Sequence, residues 1–340
     1  MKNKQIVFTS RGVAELLEKK TPGKLGEKQV WVDTEYTIIS PGTERANLMG
    51  EYNISGRRSG CHTDFPRSLG YAGVGTVRET SDCVKRVSEG DRVVIYKGKH
   101  QKYNLILEDK VMPVPEVSIK SEEAVFTVIA AFSAAGVRKT RLELGESVMV
   151  MGLGILGLLS VEFSRIAGAV PVIGVDPHPQ RREYGVKMGA DAVFDPYTEG
   201  FARNIRSLTG DQGVDVVVEV SGVAQALNQA LECTAPLGRV SLLGCTRNPA
   251  EYDLYHQVHY PGIQLFGAHN AARPQCESYP GNWTFEDDCR AVLDLISHGR
   301  LDVTPLICEI QSPDAAPEVY ERLAHDKDFP VGVLFDWRKI

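Results

Sequence analysis

The chain has 340 residues, 43% of them hydrophobic and 24% charged, ordinary values for a globular protein of about two domains. Its 38 basic residues against 44 acidic ones leave a net charge of −6, which argues against a nucleic-acid partner, since that surface needs a basic counterpart. The longest uncharged apolar run, 148–161, falls short of the roughly 18 residues of a membrane span and is broken by Gly152, Gly154 and Gly157.

The first residues are basic but hold only three consecutive apolar side chains before Thr9, so no secretory signal is expected and a cytoplasmic location is. Residues 5–9 and 29–39 carry Val, Ile, Thr, Tyr and Trp between turn clusters at 21–23 and 40–42. Residues 73–77 and 91–95 continue the pattern around a turn at 88–91. Up to residue 125 the chain therefore predicts a compact antiparallel β domain. Residues 124–137, rich in Ala, predict a helix. Strands at 147–151, 172–175, 192–194, 214–220, 239–243 and 263–266 then alternate with helices ending near 167, 188, 208 and 233. That alternation specifies a parallel sheet covered by helices on both faces. A polar loop after Asn270 leads to a helix at 287–297 and a short mixed tail. Seven cysteines, at Cys61, Cys83, Cys233, Cys245, Cys276, Cys289 and Cys308, show no C-x-x-C spacing and read as free thiols.

The sharpest signal is Gly152-Leu153-Gly154-Ile155-Leu156-Gly157, directly after an apolar strand and opening a helix. Gly152 permits the tight turn, Gly154 lets backbone approach a pyrophosphate, and Gly157 lets helix and strand pack closely. The helix N-terminus offers unpaired N–H groups to the anion. Asp176, at the end of the next strand, suits the ribose hydroxyls. It would repel a 2′-phosphate by about 4 kcal/mol at ~4 Å and an effective dielectric of 20, which favours NAD over NADP. Arg181 and Arg182 are the counter-signal. Later strand ends, with Ser221, Gly222, Leu243, Gly244, Ala268 and Asn270, are predicted to line the same cleft, and plain turns are the alternative.

Four segments, 69–77, 87–93, 152–157 and 188–191, fall in the order and spacing found in medium-chain dehydrogenases/reductases, and the chain resembles that alcohol-dehydrogenase-like family over nearly its whole length. The resemblance implies an α/β fold: a Rossmann doubly wound parallel sheet domain at 126–274, plus a GroES-like antiparallel β domain at 1–125 completed by the tail at 275–340. It also implies a homodimer or homotetramer paired near 263–266. The family's zinc ligands do not carry over. Pro41 replaces the cysteine in Pro41-Gly42-Thr43-Glu44, Tyr71 and Ala72 replace histidine and glutamate after Gly70, and the third ligand position falls near Thr127. The resemblance is therefore to a zinc-free branch, in which the Ser40–Glu44 and Gly70-Tyr71 segments are similar to bacteriochlorophyllide hydroxyethyl dehydrogenases.

Without a Lewis acid, a positioned donor must handle the charge developing on the substrate oxygen. Tyr71 is the first candidate, with Thr43 as relay hydroxyl and Glu44 orienting either; a core tyrosine and a structural glutamate are the bland readings. His269, after the last strand, is a second donor candidate or a turn histidine. Tyr255 and His256, beside His259, form a substrate wall or a subunit contact, a metal site being the weaker reading. Tyr52, Arg57 and Arg58 suit a polyhydroxylated or anionic substrate, or simply a solvated loop. The expectation is an NAD-dependent, zinc-independent oxidoreductase acting on a secondary alcohol or ketone such as a sugar, cyclitol or polyol. A quinone or enone reductase and a non-catalytic dinucleotide-binding sensor remain as alternatives.

Overall fold

The computed structural model describes residues 2–21, 24–51, 64–115, 119–246 and 248–340. Tyr52, Arg57, Arg58 and Cys61 lie outside these described residues. The chain divides into two compact units, Met1–Ile129 with Leu293–Ile340, and Ala130–Val292. Among the described residues no helix is long and apolar enough to cross a membrane.

In the first unit, β1 (Lys2–Ser10) and β2 (Val13–Lys20) form a hairpin whose turn holds Gly12 at φ +77°. The main sheet is built on β3 (Gln29–Ile38), where Val30, Val32, Thr34 and Tyr36 alternate inward. After it comes helix α1 (Pro41–Leu48), a segment read as a turn from its Ser-Pro-Gly sequence. Proline fits the first helical position, where its missing N–H has no partner to lose. The Glu44 carboxylate one turn on accepts the Ser40 N–H at 2.9 Å and fixes the helix start. Strands β4 (Ala72–Thr80), β5 (Arg92–Tyr96), β6 (Tyr103–Leu107) and β7 (Val111–Pro113) complete this part, β4 and β6 both pairing antiparallel with β3.

Short helix α2 (Ser121–Ala124) leads into α3 (Thr127–Lys139). The second unit then alternates β8 (Val148–Met151), α4 (Ile155–Ile166), β9 (Val172–Val175), α5 (Pro179–Lys187), β10 (Ala192–Phe194), α6 (Phe201–Ser207), β11 (Val214–Glu219), α7 (Ala224–Cys233), β12 (Thr234–Leu242) and β13 (Gln264–Gly267). All pairings in this sheet are parallel, in the order β10-β9-β8-β11-β12-β13. Strand order reverses between β8 and β11, the switch point where such sheets open a crevice at the strands' carboxyl ends. β8 is buried at every residue, as a central strand covered on both faces must be.

The chain ends with α8 (Phe285–Ser297), β14 (Glu309–Gln311), α9 (Ala316–His325) and β15 (Val333–Asp336). β15 pairs antiparallel with β3, so the tail finishes the first unit's sheet, and Tyr320 of α9 packs with Phe8, Leu48, Phe335 and Trp337 in its core.

The unit boundaries fall at 129/130 and 292/293, where the sequence places them at 125/126 and 274/275. Residues 275–292 belong to the second unit for a physical reason. Fully buried Asp288 is clamped by Arg138 at 3.1 Å and Arg273 at 3.0 Å. Arg138 also stacks 3.5 Å from the Trp283 ring centroid. Burial raises the Asp288 carboxyl above its usual range, and the two guanidiniums oppose that shift. Asp288→Ala strands both cations, and a loss of about 3–5 kcal/mol in urea unfolding of the chain is expected; a change under about 1 kcal/mol would show the clamp to be incidental.

Candidate functional site

The glycine turn of the second unit has the geometry a dinucleotide needs. Gly152 sits at φ +101°, and a Cβ there would lie 2.8 Å from the Ser221 Cα. A Cβ on Gly157 would lie 1.8 Å from the Gly152 carbonyl oxygen, so only glycine lets α4 start this close to β8. Gly154 is different: its φ of −73° suits any residue, and nothing lies within 4 Å of its Cβ position. It caps α4 without a side chain, leaving the first-turn amides facing that open space. Buried Asp176 follows β9, and its carboxylate accepts the Leu153 N–H of the turn at 2.8 Å and the His178 N–H at 2.8 Å. Arg181 stands 3.9 Å from the same carboxylate. Arg182 is spent on the Asp176 and Pro177 carbonyls and on Asp195. These residues fit a dinucleotide, and the cradle is one that a side chain at Gly152 or Gly157 would fill.

The later strand ends abut this turn backbone to backbone. A Cβ on Gly244 would meet the Gly222 N at 2.7 Å, and one on Gly222 would meet the Cys245 O at 2.9 Å. Ala268 is tied to the end of β12 through the Leu242 carbonyl at 3.0 Å, and buried Leu243 fills the space beside Gly136. At the end of β11 the buried Glu219 carboxylate accepts both the backbone N–H and the hydroxyl of Ser221. Burial raises its pKa, and the Ser221 hydrogen bonds oppose the shift. A carboxyl raised on folding contributes stability that is present at acid pH and fades as pH climbs through the folded-state value. Glu219→Gln keeps an acceptor and removes the charge. Its melting temperature relative to the parent is expected to rise as pH climbs above the ordinary carboxylate range, and a difference flat in pH would show that burial of the Glu219 charge costs nothing.

In the first unit the loop before α1 and the start of β4 bring hydroxyls together. The Tyr71 hydroxyl donates to Ser40 Oγ at 2.7 Å and also contacts Thr43. Its pKa is raised well above 10, first by burial and further by the nearby Glu44, while the Ser40 bond opposes. Tyr71 is thus a neutral donor throughout the neutral range. Glu44 is almost fully buried and satisfied on every side by the Ser40 N–H, the Tyr320 hydroxyl and His100 Nε2 at 3.1 Å.

Three members of this network, His100, Tyr320 and Trp337, are absent from the sequence reading. The His100 ring bridges Glu44 and Thr37, with Nε2 against the Glu44 carboxylate and Nδ1 2.7 Å from Thr37 Oγ1. The Trp337 indole donates to the same Thr37 oxygen at 2.8 Å. Gly70, at φ +105°, makes room for the imidazole: a Cβ there would lie 2.6 Å from the His100 Cγ. The positioning role expected of Glu44 is therefore geometrically available, and a contiguous chain of hydrogen bonds backs it.

Other expected residues are not gathered into these clusters. His269 is exposed, and its Nδ1 accepts the Ala271 N–H at 3.1 Å, the geometry of a turn histidine. Tyr255 and His256 are also exposed, on a single π-helical turn, where His256 pairs with Asp253 at 2.7 Å. The family's zinc positions hold Pro41, Tyr71, Ala72 and Thr127, and the Thr127 hydroxyl is already given to the Ala124 carbonyl at 2.7 Å. Proline, alanine and neutral hydroxyls do not suit zinc, which wants thiolate, imidazole or carboxylate. Among the described residues no group of three His, Cys, Asp or Glu could hold a metal ion.

Residues 156–284 match the family model described as zinc-binding dehydrogenase. The chain is similar to D-guloside 3-dehydrogenase of Escherichia coli (strain K12), 29% identical over 98% of this chain and 100% of that one. It is 34% identical over 163 residues to L-threonine 3-dehydrogenase of Pyrococcus horikoshii, covering 48% of this chain and 43% of the relative. Among solved structures, alcohol dehydrogenase TADH from Thermus sp. ATN1 matches with a TM-score of 0.83 at 23% identity, over 98% of this chain and 99% of that one. The chain thus aligns end to end with one dehydrogenase, shares the fold of another and matches the zinc-binding dehydrogenase model over residues 156–284, a likeness to medium-chain, alcohol-dehydrogenase-like oxidoreductases.

Proposed function

We propose that the protein is an NAD-preferring dehydrogenase that works without catalytic zinc on a secondary alcohol, or the matching ketone, of a polyhydroxylated substrate. The observation that carries this reading is the Tyr71 hydroxyl, at a residue that stands where the family has a zinc-ligating histidine, held by hydrogen bonds with Ser40 and Thr43. When bound, the nicotinamide accepts or returns the hydride. Tyr71 holds its proton and hydrogen-bonds the substrate oxygen, and Ser40 and Thr43 orient it. Glu44 and His100 fix the backbone of Ser40 from beneath. The substrate class is supported by the full-length likeness to a D-guloside 3-dehydrogenase. Asp176 supports NAD, and the exposed edge strand β13 with Leu265 supports a homo-oligomer.

The test is a screen of glycosides and polyols with NAD against enones with NADPH, on protein assayed for metal. Turnover of the first set without stoichiometric zinc is expected. Zinc held one per chain, or enone reduction alone, would overturn the reading, and silence in both screens would turn it to a dinucleotide-binding sensor. Asp176→Ala is expected to raise the NADP-to-NAD ratio of kcat/KM at least tenfold, the equivalent of about 1.4 kcal/mol. An unchanged ratio would remove Asp176 from the ribose site.

A further inference from the structure

The first unit carries a cavity of about 270 Å³ between β1, the end of β2, β3 and the segment leading into β6. It includes none of Ser40, Thr43, Tyr71 or Glu44. Its lining carries three lysines and no carboxylate. Lys19, Lys20 and Lys99 line it, and none of them is paired with a carboxylate among the described residues, whereas Lys102 nearby is paired with Asp33 at 3.0 Å. Gln5 lies at its floor, 2% exposed, with a buried Nε2 that has no partner among the described residues. A buried amide donor left without an acceptor is rare in folded proteins, and such groups commonly mark a place where water or a ligand supplies the missing atom.

Two amide side chains of the wall are already engaged by neighbours. The Asn3 side-chain amide is bonded twice to the backbone of Tyr103, at 2.9 and 3.0 Å, and Gln101 donates to Asn104 at 3.0 Å. The lysines bring positive charge and Gln5 Nε2 an unused N–H donor. The rings of Trp31 and Tyr103 meet edge to face at 6.2 Å and give the cavity an apolar wall.

We propose that this cavity binds a small organic anion, a single ring bearing a phosphate or carboxylate group. The lysines hold the anion, Gln5 Nε2 donates to one of its oxygens, and the ring lies along Trp31. The volume sits just under the ~300 Å³ at which pockets for larger ligands begin, so the occupant is one ring and its charged group. Phosphate and carboxylate share the chemistry the lining recognises, and the probes separate them.

Calorimetric titration of the whole chain with glucose 6-phosphate, with glucuronate and with neutral glucose tests the proposal. Saturable binding of one or both anions, one per chain, is expected, with no binding of glucose. The surface double variant Lys19→Gln/Lys20→Gln should weaken that binding about tenfold or more while leaving dehydrogenase turnover and melting temperature unchanged. Gln5→Leu should weaken it as well. The lysine pair also separates this cavity from the glycine turn of the other unit, where an anion would be indifferent to Lys19 and Lys20. No binding of either anion up to ~10 mM, a range in which even weak specific sites fill, would overturn the proposal. So would an affinity that the lysine substitutions leave unaltered.

Discussion

Gly157→Ala is expected to abolish measurable NADH binding and to lower the melting temperature, while Gly154→Ala weakens binding at an unchanged melting temperature. The two glycines sit three residues apart in one turn, yet a methyl group meets opposite surroundings at each. At Gly157 it falls 1.8 Å from the Gly152 carbonyl oxygen, a backbone atom that cannot rotate away. Either α4 retreats from β8 or the turn at Gly152 opens, and both movements displace the first-turn amides that would hold a pyrophosphate. Forcing atoms into a packed site costs about 1–3 kcal/mol, and a loss of NADH affinity of at least 100-fold is a further ~2.7 kcal/mol. At Gly154 the methyl meets nothing within 4 Å and φ is ordinary, so the apo fold does not notice it. Only a ligand lying against that backbone does. Fluorescence titration with NADH and thermal melts of both variants read the pair. Wild-type affinity in Gly154→Ala would move the pyrophosphate off this backbone, and a wild-type melt for Gly157→Ala would mean the turn yields without cost.

The dinucleotide unit was legible because its signals are local. Strand β8 is apolar at each of its four residues, the glycine motif follows at once, and Asp176 comes one βα unit later. The first unit was less legible because its signals are distant in sequence. Helix α1 is hidden by Ser40-Pro41-Gly42, which reads as a turn until the Glu44 carboxylate is seen to hold the Ser40 N–H. His100 lies 56 residues from Glu44 and 63 from Thr37, and Tyr320 and Trp337 reach the same cluster across 276 and 300 residues. Nothing near His100 marks it in one dimension except Gly98 and the end of a strand. His269, by contrast, follows a predicted strand and stands out locally, yet it is an exposed turn residue. The division at 292 rests on contacts of the same long-range kind. Asp288 is drawn to Arg138 across 150 positions by an ion pair that periodicity does not reveal.

Tyr71→Phe is expected to lower kcat/KM by about 10²–10⁴-fold, the usual contribution of a positioned proton donor, with NADH affinity and melting temperature close to the parent's. The substitution keeps the ring beside Gly70 and removes one hydroxyl, whose partner Ser40 Oγ is left free to find another. A packing role for the ring predicts the reverse pattern, a normal rate and at most a small loss of stability. Because burial holds the Tyr71 pKa well above 10, the hydroxyl stays protonated across the neutral range, and its ionisation should impose no basic limb on the rate below about pH 10. His100→Gln separates positioning from chemistry. It preserves a donor toward Glu44 but loses the ring that spans Glu44 and Thr37, so Ser40 is held less firmly. A fall in kcat smaller than that of Tyr71→Phe, with KM nearly unchanged, is the outcome for a residue that acts through Ser40 and Tyr71. If His100→Gln were as damaging as Tyr71→Phe and Tyr71→Phe in turn were harmless, the proton would have to come from the buried pair itself and not from the tyrosine above it.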